Sequence, residues 1–139
     1  MADTKTGSCL CGAVRLVTRG PLRDVSYCHC SQCRKQTGLY YASTNVSDAD
    51  LEVEGADNVS WYYASKEARR GFCKTCGSAL FWKLDGSSDT SIQAGAFDLP
   101  TGLTGASHIF CADKGDFYEI TDGLPQYDKS SPDIIVASN

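Results

Sequence analysis

Apolar and polar positions alternate in short runs along this chain, and the spacing of an amphipathic helix is scarce. β-Branched and aromatic residues gather at 13–18, 25–28, 39–44, 59–63, 79–84, 90–94, 107–110 and 117–118. Each run is short and bounded by turn residues, which predicts strands. The punctuation includes Arg19-Gly20-Pro21, Glu54-Gly55-Ala56-Asp57-Asn58 and Leu84-Asp85-Gly86-Ser87-Ser88. The last separates two strand-like runs and predicts a hairpin with a loop longer than the tight two-residue type. Residues 31–37 predict one short helical turn, and Pro100 with Gly102 marks a further loop. The expected fold is a mostly β domain of short antiparallel strands over 1–128. A polar tail follows at 129–139, whose apolar Ile134-Ile135-Val136 either packs on the domain or frays.

Composition narrows the class. A chain of 139 residues, 42% hydrophobic and 22% charged, fits one globular domain and is too apolar for intrinsic disorder. No apolar run approaches the roughly 20 residues that span a bilayer, so no membrane partner is expected. Residues 1–8 are polar and lack the apolar core of a secretion signal, which gives a cytoplasmic expectation. Thirteen basic against 17 acidic residues leave a net charge of −4, which argues against nucleic acid as the main partner.

Eight cysteines change the picture most: Cys9, Cys11, Cys28, Cys30, Cys33, Cys73, Cys76 and Cys111. In a reducing compartment, clustered cysteines suggest metal rather than disulfides. Cys9-Leu10-Cys11 and Cys28-His29-Cys30 each place two thiols two residues apart. If extended, such a segment separates the Cα atoms by about 6.6 Å on one face, at the far limit for a disulfide but comfortable for two zinc ligands. Cys73-Lys74-Thr75-Cys76-Gly77 reads as a zinc knuckle, with Gly77 free to take a positive φ.

Sorting seven clustered cysteines into tetrahedral sites gives four plus three. The reading expects Cys9, Cys11, Cys73 and Cys76 to form a closed structural site. Cys28, Cys30 and Cys33 then hold a second zinc with an open position, the mark of a catalytic ion. The competing reading closes the second site with Cys111, His29 or His108. On its own, His29 reads as a structural residue facing away from its neighbours, His108 as a packed strand histidine, and Cys111 as a buried free thiol.

The motifs Gly7-Ser8-Cys9-Leu10-Cys11-Gly12-Ala13-Val14, Cys28-His29-Cys30-Ser31-Gln32-Cys33-Arg34 and Phe72-Cys73-Lys74-Thr75-Cys76-Gly77, in this order, resemble the glutathione-dependent formaldehyde-activating enzyme family. That family also includes domains related to centromere protein V. Gly95-Ala96-Phe97-Asp98, His108-Ile109-Phe110, Asp116-Phe117-Tyr118-Glu119-Ile120 and Gly123-Leu124-Pro125-Gln126-Tyr127 extend the resemblance. It implies a zinc-containing β-tent-like fold with two Zn²⁺ sites. Cys9, Cys11, Cys73 and Cys76 would serve the structural ion, and Cys28, Cys30 and Cys33 the ion linked with activity. It further implies a carbon–sulfur lyase that joins or splits glutathione, as co-substrate, and formaldehyde, or a related thiol and carbonyl. The alternative is a zinc-stabilised binding module without catalysis.

A fourth thiolate on the second ion would leave net negative charge. Arg34 and Lys35 are the candidates to offset it or to meet a glutathione carboxylate, while Arg69-Arg70 reads as a solvated pair. Tyr27, His29 and Asp98 are the candidates to move a proton. Trp61, Tyr62, Tyr63, Phe81 and Trp82 are expected in the core or along one wall of a pocket.

Overall fold

The computed structural model describes residues 4–132, so the expectation for Ile134-Ile135-Val136 lies outside the described residues. Ten strands follow one another: β1 (Thr4–Ser8), β2 (Arg15–Arg19), β3 (Val25–Cys28), β4 (Tyr41–Ser47), β5 (Leu51–Glu54), β6 (Val59–Tyr63), β7 (Ala68–Cys73), β8 (Ala79–Leu84), β9 (Asp89–Gln93) and β10 (Gly105–Ile109). The α-helix α1 (Ser31–Thr37) lies between β3 and β4, where the sequence placed its helical turn.

The strands form a three-stranded sheet, β1-β2-β5, and a seven-stranded sheet, β10-β3-β4-β9-β8-β7-β6. Every pairing between these strands is antiparallel except β10 with β3. The 84–88 loop joins β8 to β9, which pair Phe81 with Ile92 and Trp82 with Ser91, as the turn residues predicted. No strand forms at 117–118; Tyr118 is held there by side-chain contacts instead.

The core gathers between the sheets. Leu16 of β2 shares one buried cluster with Val46, Val59, Leu80, Phe81 and Ile92 of the larger sheet, and Val14 and Phe97 complete it. Period-2 alternation turns most of these residues inward, whereas the consecutive Leu80 and Phe81 are both buried where the β7–β8 register shifts at a bulge. Cys9 and Cys73 belong to the same cluster, at 3% and 0% exposure. The first cysteine group therefore grows out of the hydrophobic core.

The aromatic expectation divides. Phe81 is buried, Trp61 lines a surface cavity with it and Trp82 lines another, but Tyr62 and Tyr63 are 61% and 51% exposed, because β6 is the edge strand of its sheet. Trp61 stacks on Phe81 with centroids 6.0 Å apart and carries the Arg69 guanidinium 4.6 Å above its ring.

Gly55 joins β5 to β6 in the left-handed region at φ 77°, and a Cβ there would run into the Ala13 carbonyl oxygen. Backbone cannot retreat as a flexible side chain can. Gly55→Ala is expected to lower stability by about 3 kcal/mol, combining backbone strain with overpacking, read as a fall in denaturant midpoint.

Candidate functional site

Two groups of cysteine sulfurs come together, and within each group all sulfurs lie within 4.8 Å of one another. The first unites Cys9 and Cys11, from the turn after β1, with Cys73 and Cys76, from the turn after β7. Cys9-Leu10-Cys11 is not extended. Gly12 at φ 81° closes the turn by donating its N–H to the Cys9 carbonyl. Gly77 does the same for the second turn at φ 79°, donating to Cys73. The positive φ expected of Gly77 is thus present.

Cys9 and Cys11 sulfurs are 3.6 Å apart, and those of Cys11 and Cys73 are 3.7 Å apart. A tetrahedral ion with bonds of about 2.3 Å separates its sulfurs by about 3.8 Å, so the cage has the right size for zinc. The sulfurs also receive hydrogen bonds suited to thiolates: Val14 N–H donates to Cys9 Sγ at 3.3 Å, and Asn58 Nδ2 to Cys73 Sγ at 3.3 Å. Ser78 Oγ lies 3.2 Å from Cys76 Sγ and is the chief cause holding that thiol down to about 5.

The second group is Cys28 at the end of β3, Cys30 at the N-cap of α1, and Cys33 in its first turn. Cys30 Sγ accepts the Cys33 backbone N–H at 3.4 Å, which caps the helix and orients two sulfurs together. Hydrogen bonds from Cys28 and Cys33, then the Cys33 N–H and Arg70, pull the Cys30 thiol far down. Donation to Cys30 and Cys33 and burial push Cys28 up. Without a cation the group thus favours one thiolate solvated by neighbouring thiols, and three thiolates together require a positive ion. Both groups could hold a metal ion. Among the described residues Cys111 joins neither, and it is half-buried rather than buried.

A cavity of about 440 Å³ opens beside the second group. Cys28, Cys30 and Cys33 line it with Ser26, Tyr41 and Arg70. All three cysteines of the second group line this space, and none of Cys9, Cys11, Cys73 and Cys76 does. Arg70 was missed as a functional residue. It is 5% exposed, and its Nη2 donates to Cys33 Sγ at 3.3 Å. Strand alternation separates the pair, sending Arg69 onto Trp61 and Arg70 inward to the sulfurs. Arg34 and Lys35, nominated in its place, do not line the cavity. No local pattern marked Arg70: the Arg69-Arg70 pair reads as surface, and only the strand Ala68–Cys73 turns Arg70 inward.

The proton-moving candidates lie elsewhere. Asp98 accepts from Thr6 Oγ1 at 2.6 Å, on the smaller sheet's side. Tyr27 stacks on His108 at 4.9 Å between centroids. His29 is fully buried among Tyr40, His108 and Tyr118, turned away from the cavity as its alternation implied. His29 Nε2 lies 2.8 Å from His108 Nδ1, and His108 Nε2 lies 2.8 Å from Asp122 Oδ2. One tautomer assignment satisfies the chain: Tyr118 donates to His29 Nδ1, His29 to His108, and His108 to the carboxylate. Burial, followed by the charge of His108, holds His29 down to about 4, consistent with neutral imidazole. The network ties the loop carrying Tyr118 and Asp122 to the back of β3 and β10.

The sequence model described as glutathione-dependent formaldehyde-activating enzyme matches residues 4–113. A Halomonas elongata protein, provisionally named a glutathione-dependent formaldehyde-activating enzyme, is 35% identical over 125 residues, covering 82% of this chain and 79% of its own. An uncharacterised lyase of Schizosaccharomyces pombe is 30% identical over 114 residues, covering 81% of this chain and 82% of its own. A crystal structure of a Rhodobacter sphaeroides protein shares the fold with a TM-score of 0.57 at 22% identity, covering 88% of this chain and 98% of that one.

Proposed function

Because the chain belongs to the glutathione-dependent formaldehyde-activating enzyme family, we propose that it is a zinc-dependent carbon–sulfur lyase. Its reaction joins or splits a small thiol and a small aldehyde, with glutathione and formaldehyde as the first pair to test. The observation that carries this reading is the unequal sulfur count: four in a group rooted in the core through Cys9 and Cys73, three bordering a cavity.

On this reading Cys9, Cys11, Cys73 and Cys76 hold a structural zinc, and Cys28, Cys30 and Cys33 hold a second zinc toward the cavity. Bound there, zinc supplies the positive charge that keeps an incoming thiol, ordinarily of pKa about 8.5, deprotonated at neutral pH. The protein's own part is to gather, orient and balance charge. Arg70 donates to Cys33 Sγ and offsets the thiolates, the task first assigned to Arg34 and Lys35. Arg23, Arg70 and Lys129 line the cavity against a single carboxylate, Asp113. In a chain of net charge −4 this local excess of cations favours a thiol that carries carboxylates, as glutathione does.

In the forward direction the thiolate sulfur forms a bond to the aldehyde carbon, and the carbonyl π pair moves to oxygen. The proton released by the thiol returns from solvent to that oxygen; reversal gives the lyase reaction. Holding both reactants in one cavity removes much of the entropic barrier to their meeting. All eight cysteines are free, which suits the reducing cytoplasm we propose as the location. No helix among the described residues is long and apolar enough to cross a membrane.

The test is exchange spectroscopy with ¹³C-formaldehyde and glutathione. The protein loaded with two zinc ions should accelerate interconversion of free aldehyde and S-hydroxymethyl adduct. Glutathione binding with no acceleration would reduce the protein to a zinc-stabilised binding module.

A further inference from the structure

The cavity carries more unpaired donors than a structural wall would tolerate. Tyr41 is 4% exposed, and its hydroxyl has no partner. Arg70 is 5% exposed, and its Nε and Nη1 are likewise unpartnered, while Nη2 serves Cys33 Sγ. Ser26 Oγ, buried at 4% exposure, repeats the pattern from β3. All three side chains line the cavity beside the second cysteine group. The Arg70 guanidinium lies 5.5 Å from the centre of the Tyr41 ring, so the two form one patch. Buried polar groups are ordinarily paired, and unpaired ones on three residues that line a single cavity call for a ligand that pairs with them.

We propose that Tyr41 and Arg70 form the oxyanion site of the reaction, holding the oxygen of the aldehyde carbon as it changes from carbonyl to alkoxide. This rests on the thiol–aldehyde reading above. Reach decides which oxygen is meant. Arg70 touches Cys33, so it borders the place where a substrate sulfur would join the cysteine group. The oxygen on the carbon bonded to that sulfur lies within its compass, whereas the carboxylates of a tripeptide thiol lie further along the molecule. A phenol and a guanidinium both carry their protons at neutral pH, so both are donors. Neither serves as the base; their contribution is fixed positive dipole and charge aimed where negative charge develops.

The step balances without another reactant. In addition, the sulfur lone pair forms the C–S bond, the π pair moves to oxygen, and the two side chains hold the alkoxide until water protonates it. In cleavage, water takes the hydroxyl proton, the same donors hold the alkoxide, and its electrons re-form the carbonyl as the C–S bond breaks.

Tyr41→Phe removes only an unpartnered hydroxyl, so its melting temperature should equal or exceed that of the wild type. Its kcat for adduct formation and cleavage should fall about 100-fold, with glutathione affinity held within about twofold. Arg70→Lys, which keeps the charge and loses the fork, should also slow turnover while retaining both zinc ions. A binding readout stands apart from turnover. By calorimetry the wild type should prefer S-(2-hydroxyethyl)glutathione over S-ethylglutathione by about fivefold, and Tyr41→Phe should lose that preference. An active wild type matched in rate and preference by Tyr41→Phe would overturn the oxyanion site alone. A wild type that binds glutathione but never converts it would overturn the parent reading, and this one with it.

Discussion

Cys76→Ser is expected to abolish cooperative folding and to lose the metal ion proposed for the first sulfur group. The four sulfurs join two turns far apart in the chain, with Cys11 and Cys73 separated by 62 positions, and two of them sit in the hydrophobic core. Structural zinc contributes about 10–16 kcal/mol in small peptides, against a net stability of about 5–15 kcal/mol for a whole domain. A three-sulfur remnant retains only part of this and leaves Cys9 and Cys73 as buried thiols without their ion. Thermal melting followed by circular dichroism, with metal content measured on the same sample, gives the answer. A cooperative melt within a few degrees of the wild type, at unchanged metal content, would show that the core does not depend on this group.

Cys33→Ser carries the opposite expectation: the fold survives and the chemistry does not. Cys33 is buried, yet its group lies at the mouth of β3 and α1, outside the core cluster, and a serine hydroxyl can still accept from Arg70. The stability loss should stay near about 2 kcal/mol, within the range of a single buried polar exchange. Bound zinc should fall from two ions to one, and glutathione affinity should drop at least about 100-fold, since a neutral hydroxyl is a poor substitute for a thiolate ligand. Calorimetric titration beside a melting curve separates the outcomes. A variant that unfolds as Cys76→Ser does would make the second group structural, and the catalytic reading would fall.

Legibility followed burial pattern. β3, β6 and β8 were visible at their observed limits because β-branched or aromatic residues mark them, and α1 was read over its observed 31–37, where the structure adds a Cys30 cap and a left-handed Gly38 end. β1, Thr-Lys-Thr-Gly-Ser, was missed: an edge strand with no large apolar side chain has no hydrophobic signature, and it is held by pairing with β2. β5 was missed because its alternation, Leu51-Glu52-Val53-Glu54, is only four residues long beside a turn. β7 was missed for a chemical reason. Its Arg69-Arg70 pair reads as surface, yet Arg70 is buried against Cys33 and the Tyr41 ring. Tyr41 stood inside a predicted strand with nothing to distinguish it from a core aromatic.

The sequence by itself determined the local sulfur pairs and the triplet, because ligand spacing within a turn or cap is a local property; the union of the two distant pairs, 62 positions apart, is tertiary. The sequence also determined the β character, since period-2 patterning is read residue by residue. Tertiary structure alone decided what surrounds the sulfurs. Arg70 reaches Cys33 across 37 positions, and Tyr41 comes from another strand of the same sheet. It also decided that Asp98 pairs with Thr6 on the smaller sheet's side, and which aromatic and histidine side chains enclose His29. Charge partners and unpaired donors are set by which strands become neighbours, and strand order is fixed by long-range burial that no short window of the chain contains.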